Sequence, residues 1–185
     1  MDLASILTTD GVLGSLPAPA LAELTAAARV ETFSVPTLLN AATQPLAKLR
    51  LVLSGHIEVI ARRASGEEVT LGDIGPGGWA TWVACMSPMP PDHDFYSATD
   101  LRCIAIPAPL ARRICENHPA IYPRIIADLG VRMRHLMEWT GDSVLLGPEQ
   151  RMAKLIHLLA RMHRLPPTGG VLFRFCRMRW GSILG

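Results

Sequence analysis

Between Val30 and Pro107 the chain is cut into short alternating segments by turn residues, and this punctuation limits its fold more than any other feature. "VETFSVPTLL", "LRLVLSGHIEVIARR", "VTLGDI" and "LRCIAIP" place apolar side chains at the two-residue period of a half-buried strand. Gly55, "ASGEE" and "GPGG" stand between them as turn or bulge signals. Fifteen Gly and fifteen Pro in 185 residues are many for an all-helical chain. Short strands at this spacing predict an antiparallel sandwich or barrel.

Helical periodicity flanks this region. "SLPAPALAELTAAARV" (15–30) opens with Ser15 and two prolines and brings Leu21 and Leu24 to helical spacing. After Pro107, "PLARRICENH" reads as a short helix ending before Pro119, and a long helix runs from Ala120 to about Val144. On that helix Tyr122, Ile126, Leu129, Met133, Leu136, Thr140 and Ser143 recur at heptad spacing, apolar as far as Leu136. Such a seam needs a partner surface, either the chain's own β-region or the same helix of a second copy. Pro148 then opens "PEQRMAKLIHLLARMHR", whose stripe is Met152, Leu155, Ile156, Leu159 and Met162.

Composition narrows the function classes. Apolar residues make up 49% and charged residues 18%, so a substantial core is expected. A net charge of +2 does not by itself argue for nucleic acid. From Arg151 to Gly185, however, seven Arg/Lys face no Asp or Glu, which points weakly to an anionic partner. Cys85, Cys103, Cys115 and Cys176 show no regular spacing and read as free thiols of a reducing compartment. No signal peptide and no membrane-length apolar run is visible, so a cytoplasmic, membrane-free protein is expected. No nucleophile–base pairing, phosphate loop or paired carboxylates appear at workable spacing, so no enzyme is expected.

The order of these segments resembles the Crp/Fnr family of bacterial transcription regulators. "LVLSGHIEVI" (51–60) is similar to the family's strand-Gly-strand segment, and "GEEVTLGDIGPGG" (66–78) to its hairpin and glycine turn. "SATDLRCIAIP" (97–107) is similar to the strand leaving the effector pocket, and "GPEQRMAKLIHLLARMH" (147–163) to the first helix of the DNA-binding domain. The resemblance runs from about Leu16 to the C-terminus. It implies an α+β fold: a jelly-roll, cyclic-nucleotide-binding-like antiparallel β-barrel with flanking helices. The implied domains are an effector-sensing region at 1–118, a dimerisation helix at 119–146 and an incomplete winged helix-turn-helix at 147–185. The dimer interface would use Tyr122, Ile126, Leu129, Met133, Leu136 and Thr140.

In cyclic-nucleotide-binding members, the place of Trp79 to Asp100 holds the cyclic phosphate. Such a site requires a Gly-led helix N-terminus, an acid for the ribose, an Arg and a neighbouring hydroxyl. Aligned on "PGGWATW", the family's Gly-Glu pair falls on Ala80 and Thr81; aligned back from "SATD", its Arg and Ser fall on Pro91 and Asp92. The degenerate cassette thus comprises Gly78, Trp79, Ala80, Thr81, Trp82, Pro91, Asp92, His93 and Asp94. Asp92 and Asp94 are expected to put negative charge where a phosphate would sit. Cyclic AMP and cyclic GMP are therefore expected not to bind. Trp79, Trp82, Val83, Met86, Met89 and Phe95 either fill the pocket or line it for another, unknown small-molecule effector. Adjacent Asp92, His93 and Asp94 would rarely converge on one ion, and no Cys precedes Cys85 to build an iron–sulfur cluster, so neither metal nor cofactor is expected.

The tail "GGVLFRFCRMRWGSILG" resembles a strand and the first helix of the family's helix-turn-helix, and ends at the place of the turn glycine. The recognition helix would come next. Arg164, Arg174, Arg177 and Arg179 are left as candidates for DNA phosphate contacts without sequence readout. The expectation is the sensor and dimerisation part of a Crp/Fnr-type regulator, a homodimer that lacks the DNA recognition helix. The alternative is a dimeric interaction or scaffold module that does not read DNA or meets it through an intact paralogue.

Overall fold

The turn residues of the central region divide it into eight strands in the computed structural model, which describes residues 2–97 and 100–162. They are β1 (Arg29–Phe33), β2 (Thr37–Asn40), β3 (Lys48–Ser54), β4 (Ile57–Arg62), β5 (Glu68–Ile74), β6 (Trp79–Ala80), β7 (Asp94–Ser97) and β8 (Leu101–Pro107). They form two four-stranded sheets, in the orders β1-β8-β3-β6 and β2-β7-β4-β5, with antiparallel pairing throughout. Among the described residues no ladder joins one sheet to the other, so the closed barrel that the sequence suggests is corrected to an open two-sheet roll.

The physical reason is that chain turns transfer the backbone between sheets instead of closing hairpins. Pro36 lies between β1 and β2, which belong to different sheets. Gly55 does the same between β3 and β4. Its φ is +74°, and a Cβ there would stand 2.7 Å from the Asp100 carbonyl oxygen, so only glycine fits. The "ASGEE" turn does close a hairpin: β4 and β5 pair, and Arg63 N donates to Glu67 O at 2.9 Å.

Both faces of the β1-β8-β3-β6 sheet are covered. Val52, Ala80, Leu101 and Cys103 meet Ile57 of the other sheet in a core, with Phe33, Leu39, Ile74 and Phe95 against it. One residue out of phase, Leu49, Leu51, Ile104 and Ile106 are also buried, and pair in register as Leu49–Ile106 and Leu51–Ile104. Helices α2 (Ala18–Ala27) and α4 (Ala108–Asn117) cover this second face. Each such buried aliphatic side chain contributes about 2 kcal/mol. An N-terminal helix not anticipated from the sequence, α1 (Leu3–Thr9), completes the helical layer; the Asp2 side chain caps it by accepting from Ala4 N at 2.6 Å.

A five-residue helix, α3 (Trp82–Met86), follows β6, and after α4 come α5 (Tyr122–Leu145) and α6 (Pro148–Met162). The chain divides into two compact units, residues 1–128 and 129–185. Within the second, Lys154 Nζ pairs with Asp142 Oδ2 at 2.5 Å. Among the described residues no helix is long and apolar enough to cross a membrane. The expected winged-helix end of the chain, with Cys176, Arg164, Arg174, Arg177 and Arg179, lies outside the described residues.

Candidate functional site

Strand parity decides where the cassette side chains go. Trp79 pairs with Leu51 and Ala80 with Arg50. Trp79 therefore shares the helical face of its sheet, where its Nε1 donates to Asp10 Oδ2 at 3.1 Å. Trp82 packs against it with the rings tilted by 50° and their centroids 5.2 Å apart, and both indoles are buried. Val83 and Met89 are instead 64% and 70% exposed. The expectation that these six apolar residues share one pocket is thus corrected: the tryptophans pack on the helical side, Val83 and Met89 face solvent, and Phe95 packs on the roll core. Of the cassette's start, Ala80 faces the roll. Thr81 caps α3 in the left-handed region, φ +76°, and its hydroxyl donates to the carbonyl of Ala80. Gly78 closes the preceding turn, its N–H donating to Gly75 O at 3.0 Å.

The acids of the second half of the cassette do not line the roll. Phe95 packs on the core and Asp94 is its neighbour on the strand, so alternation turns Asp94 to the outer face. There it is buried, accepts from Ala42 N at 2.7 Å and lies 3.5 Å from Arg62 Nη1. Arg62 also meets Glu68 at 2.8 Å and the Tyr96 hydroxyl at 3.2 Å. Asp92 is exposed and pairs with His93 at 2.6 Å; Pro91 is buried. The expectation that Asp92 and Asp94 jointly charge a phosphate position is overturned, because one is in solvent and the other is neutralised on the outer face. Nor do Asp92, His93 and Asp94 converge on one point. Among the described residues no group of three His, Cys, Asp or Glu has the geometry of a metal site.

A charge cluster missed in the sequence occupies the inner face. Arg50 shares the parity of Val52 and is 8% exposed. Its Nε donates to Glu31 Oε2 at 3.2 Å and its Nη1 to the Leu39 carbonyl, on the opposite sheet, at 3.4 Å. Lys48 also bonds Glu31. Burial alone would push the Glu31 carboxyl up; the Lys48 hydrogen bond and the charges of Arg50 and Lys48 outweigh it and hold the group below its ordinary value. The alternation in "KLRLVLS" assigns the leucines to the core and the basic residues to solvent. Lys48 follows it, whereas Arg50 is buried because this sheet is covered on both sides.

Arg112 of α4 was likewise not foreseen. Its guanidinium donates to three carbonyls at the end of α3: Cys85 at 2.6 Å, Ser87 at 2.9 Å and Ala84 at 3.4 Å. The Cys85 thiol donates to Ala108 O at 3.7 Å. Burial pushes the thiols of Cys85, Cys103 and Cys115 up to about 12, 11 and 11, so these three are inert core groups, as the sequence suggests.

On α5 the heptad positions differ in exposure. Tyr122 and Leu129 are half-buried, whereas Ile126, Met133 and Leu136 are 66%, 62% and 57% exposed, and Thr140 is exposed. Met137 and Val144 add to this uncovered face.

The comparisons with known proteins agree with this architecture. Residues 30–118 match the family model described as Cyclic nucleotide-binding domain. No curated protein matches the sequence. A Crp/Fnr-family transcriptional regulator from Eubacterium rectale superposes with a TM-score of 0.72 at 14% identity, over 83% of this chain and 72% of that one. The sensor domain of the transcriptional regulator DNR from Pseudomonas aeruginosa gives 0.62 at 12% identity, over 75% and 95%. The regulatory domain of Toxoplasma gondii PKA, solved with cAMP, gives 0.54 at 20% identity; it spans 61% of this chain, and this chain spans 43% of it. At such identities the likeness establishes the fold alone. Residues 30–118 are thus similar to the cyclic nucleotide-binding domain family, and the chain shares its fold with structures that include a Crp/Fnr-type transcriptional regulator.

Proposed function

We propose that this chain is the effector-sensing and dimerising part of a cytoplasmic Crp/Fnr-type transcription regulator, and that its roll does not take cyclic AMP or cyclic GMP. The observation that carries the second point is the state of the cassette. Thr81 holds the left-handed cap and turns its hydroxyl to its own chain, while Pro91 and exposed Asp92 supply no cation for a cyclic phosphate. Dimerisation is supported by α5, a 24-residue helix with an exposed apolar face at heptad spacing. A second copy of the same helix is the self-complementary cover for such a face. An effector would then act by shifting the packing of the paired helices.

Light scattering on the purified chain is expected to give a dimer mass, and calorimetric titration with cyclic AMP or cyclic GMP is expected to give no heat of binding. A monomer at micromolar concentration, or micromolar affinity for either nucleotide, would refute the corresponding half of the proposal.

A further inference from the structure

The inner cluster of Arg50, Lys48 and Glu31 suggests what the roll does take. We infer that a small anion bearing a carboxylate or phosphate binds inside the roll on Arg50 and Lys48, displacing the Glu31 carboxylate that now covers them. This names the effector class of the sensor proposed above and rests on that reading.

Arg50 is the residue that faces Ala80 in register. It therefore brings a guanidinium to the one early cassette residue that lines the roll, from a strand the cassette does not include. Two cations share one acid, so the cluster is net positive by one charge. The bond from Arg50 to Glu31, at 3.2 Å, is long for a charged pair, which normally closes to about 2.8 Å. A guanidinium suits a planar bidentate acceptor better than the single Glu31 oxygen it now holds through Nε. Access exists, since the Lys48 side chain is 46% exposed while Arg50 is nearly enclosed. A purely structural role is a poor explanation, because a buried ion pair stabilises no better than apolar side chains of its size. Val52, on the same face of the same strand, shows that such a residue fits there.

The test is a titration of the full chain with inorganic phosphate and, separately, with succinate, at ionic strength held constant with sodium chloride. Calorimetry and the thermal midpoint are both read, each variant against its own baseline. At least one of the two anions is expected to bind saturably, and the arm that responds tells phosphate from carboxylate. Arg50→Gln is expected to weaken that binding by about tenfold or more, the loss of one charged hydrogen bond. Arg50→Lys, which keeps the charge, serves if the Gln variant does not fold, and should retain weaker binding. Glu31→Gln removes the competing acid and is expected to tighten binding, which a structural salt bridge would not do. No saturable binding of either anion, binding unaltered by Arg50→Gln, or affinity unaltered by Glu31→Gln would each overturn the inference. The same samples separate this from the sensor reading: a dimer indifferent to both anions removes only the anion site, whereas cyclic AMP binding by the unaltered chain removes the nucleotide exclusion.

Discussion

Glu58 lies on β4 directly opposite Asp73 on one side and Tyr96 on the other, with His56 bonded to Asp73 at 2.7 Å. Burial pushes the Glu58 carboxyl up, Asp73 adds to this, and His56 opposes it. A raised value means that the folded state holds the proton more readily than the unfolded chain. Ionised Glu58 therefore costs stability at neutral pH, and the cost disappears as pH falls through its raised value. Glu58→Gln is expected to raise the thermal midpoint at neutral pH, with the gain shrinking on acidification; thermal unfolding across pH decides it, and a gain independent of pH would refute the assignment. Glu31 has the opposite sign. Its lowered value contributes stability above the ordinary carboxylate range, lost as pH falls through the lowered one, so Glu31→Gln should destabilise the fold at neutral pH. At Gly55 the effect is steric. Gly55→Ala brings a Cβ to 2.7 Å from a backbone oxygen at positive φ, and chemical denaturation should show a loss of about 2 kcal/mol or more.

At the scale of elements, α3 is too short to stand alone and is held by α4 through Arg112 and its three carbonyl bonds. Arg112→Ala is expected to cost about 1–3 kcal/mol by denaturation, with faster amide exchange confined to residues 84–87 if the clamp is local. The α5 helix poses the reverse case: its apolar face lacks a cover within the described chain. Leu136→Lys and Met133→Lys on that face should leave the thermal midpoint of the roll near its original value while converting dimer to monomer in sedimentation. An unchanged dimer would place the contact elsewhere.

For the whole molecule, the alternation of the chain was enough to show a β-region followed by helices. Two-residue periodicity in "LRLVLS" and the heptad spacing on α5 are local properties of the backbone, and they survive into the structure as β3 and α5. The hairpin at "ASGEE" was legible for the same reason, since a tight turn is decided by the residues within it. Which face of a strand looks inward was not legible, because that depends on what lies on each side of the sheet. With helices on one face and the second sheet on the other, Leu49 and Leu51 went to the helices and Arg50 to the roll. The same parity turned Asp94 outward to Arg62 and Trp79 toward Asp10. The sequence by itself determined most of the elements and their order. Only the tertiary structure decided that the sheets stay open and that the cation facing the roll comes from β3, because both follow from packing between segments distant in the chain, to which a local period is blind.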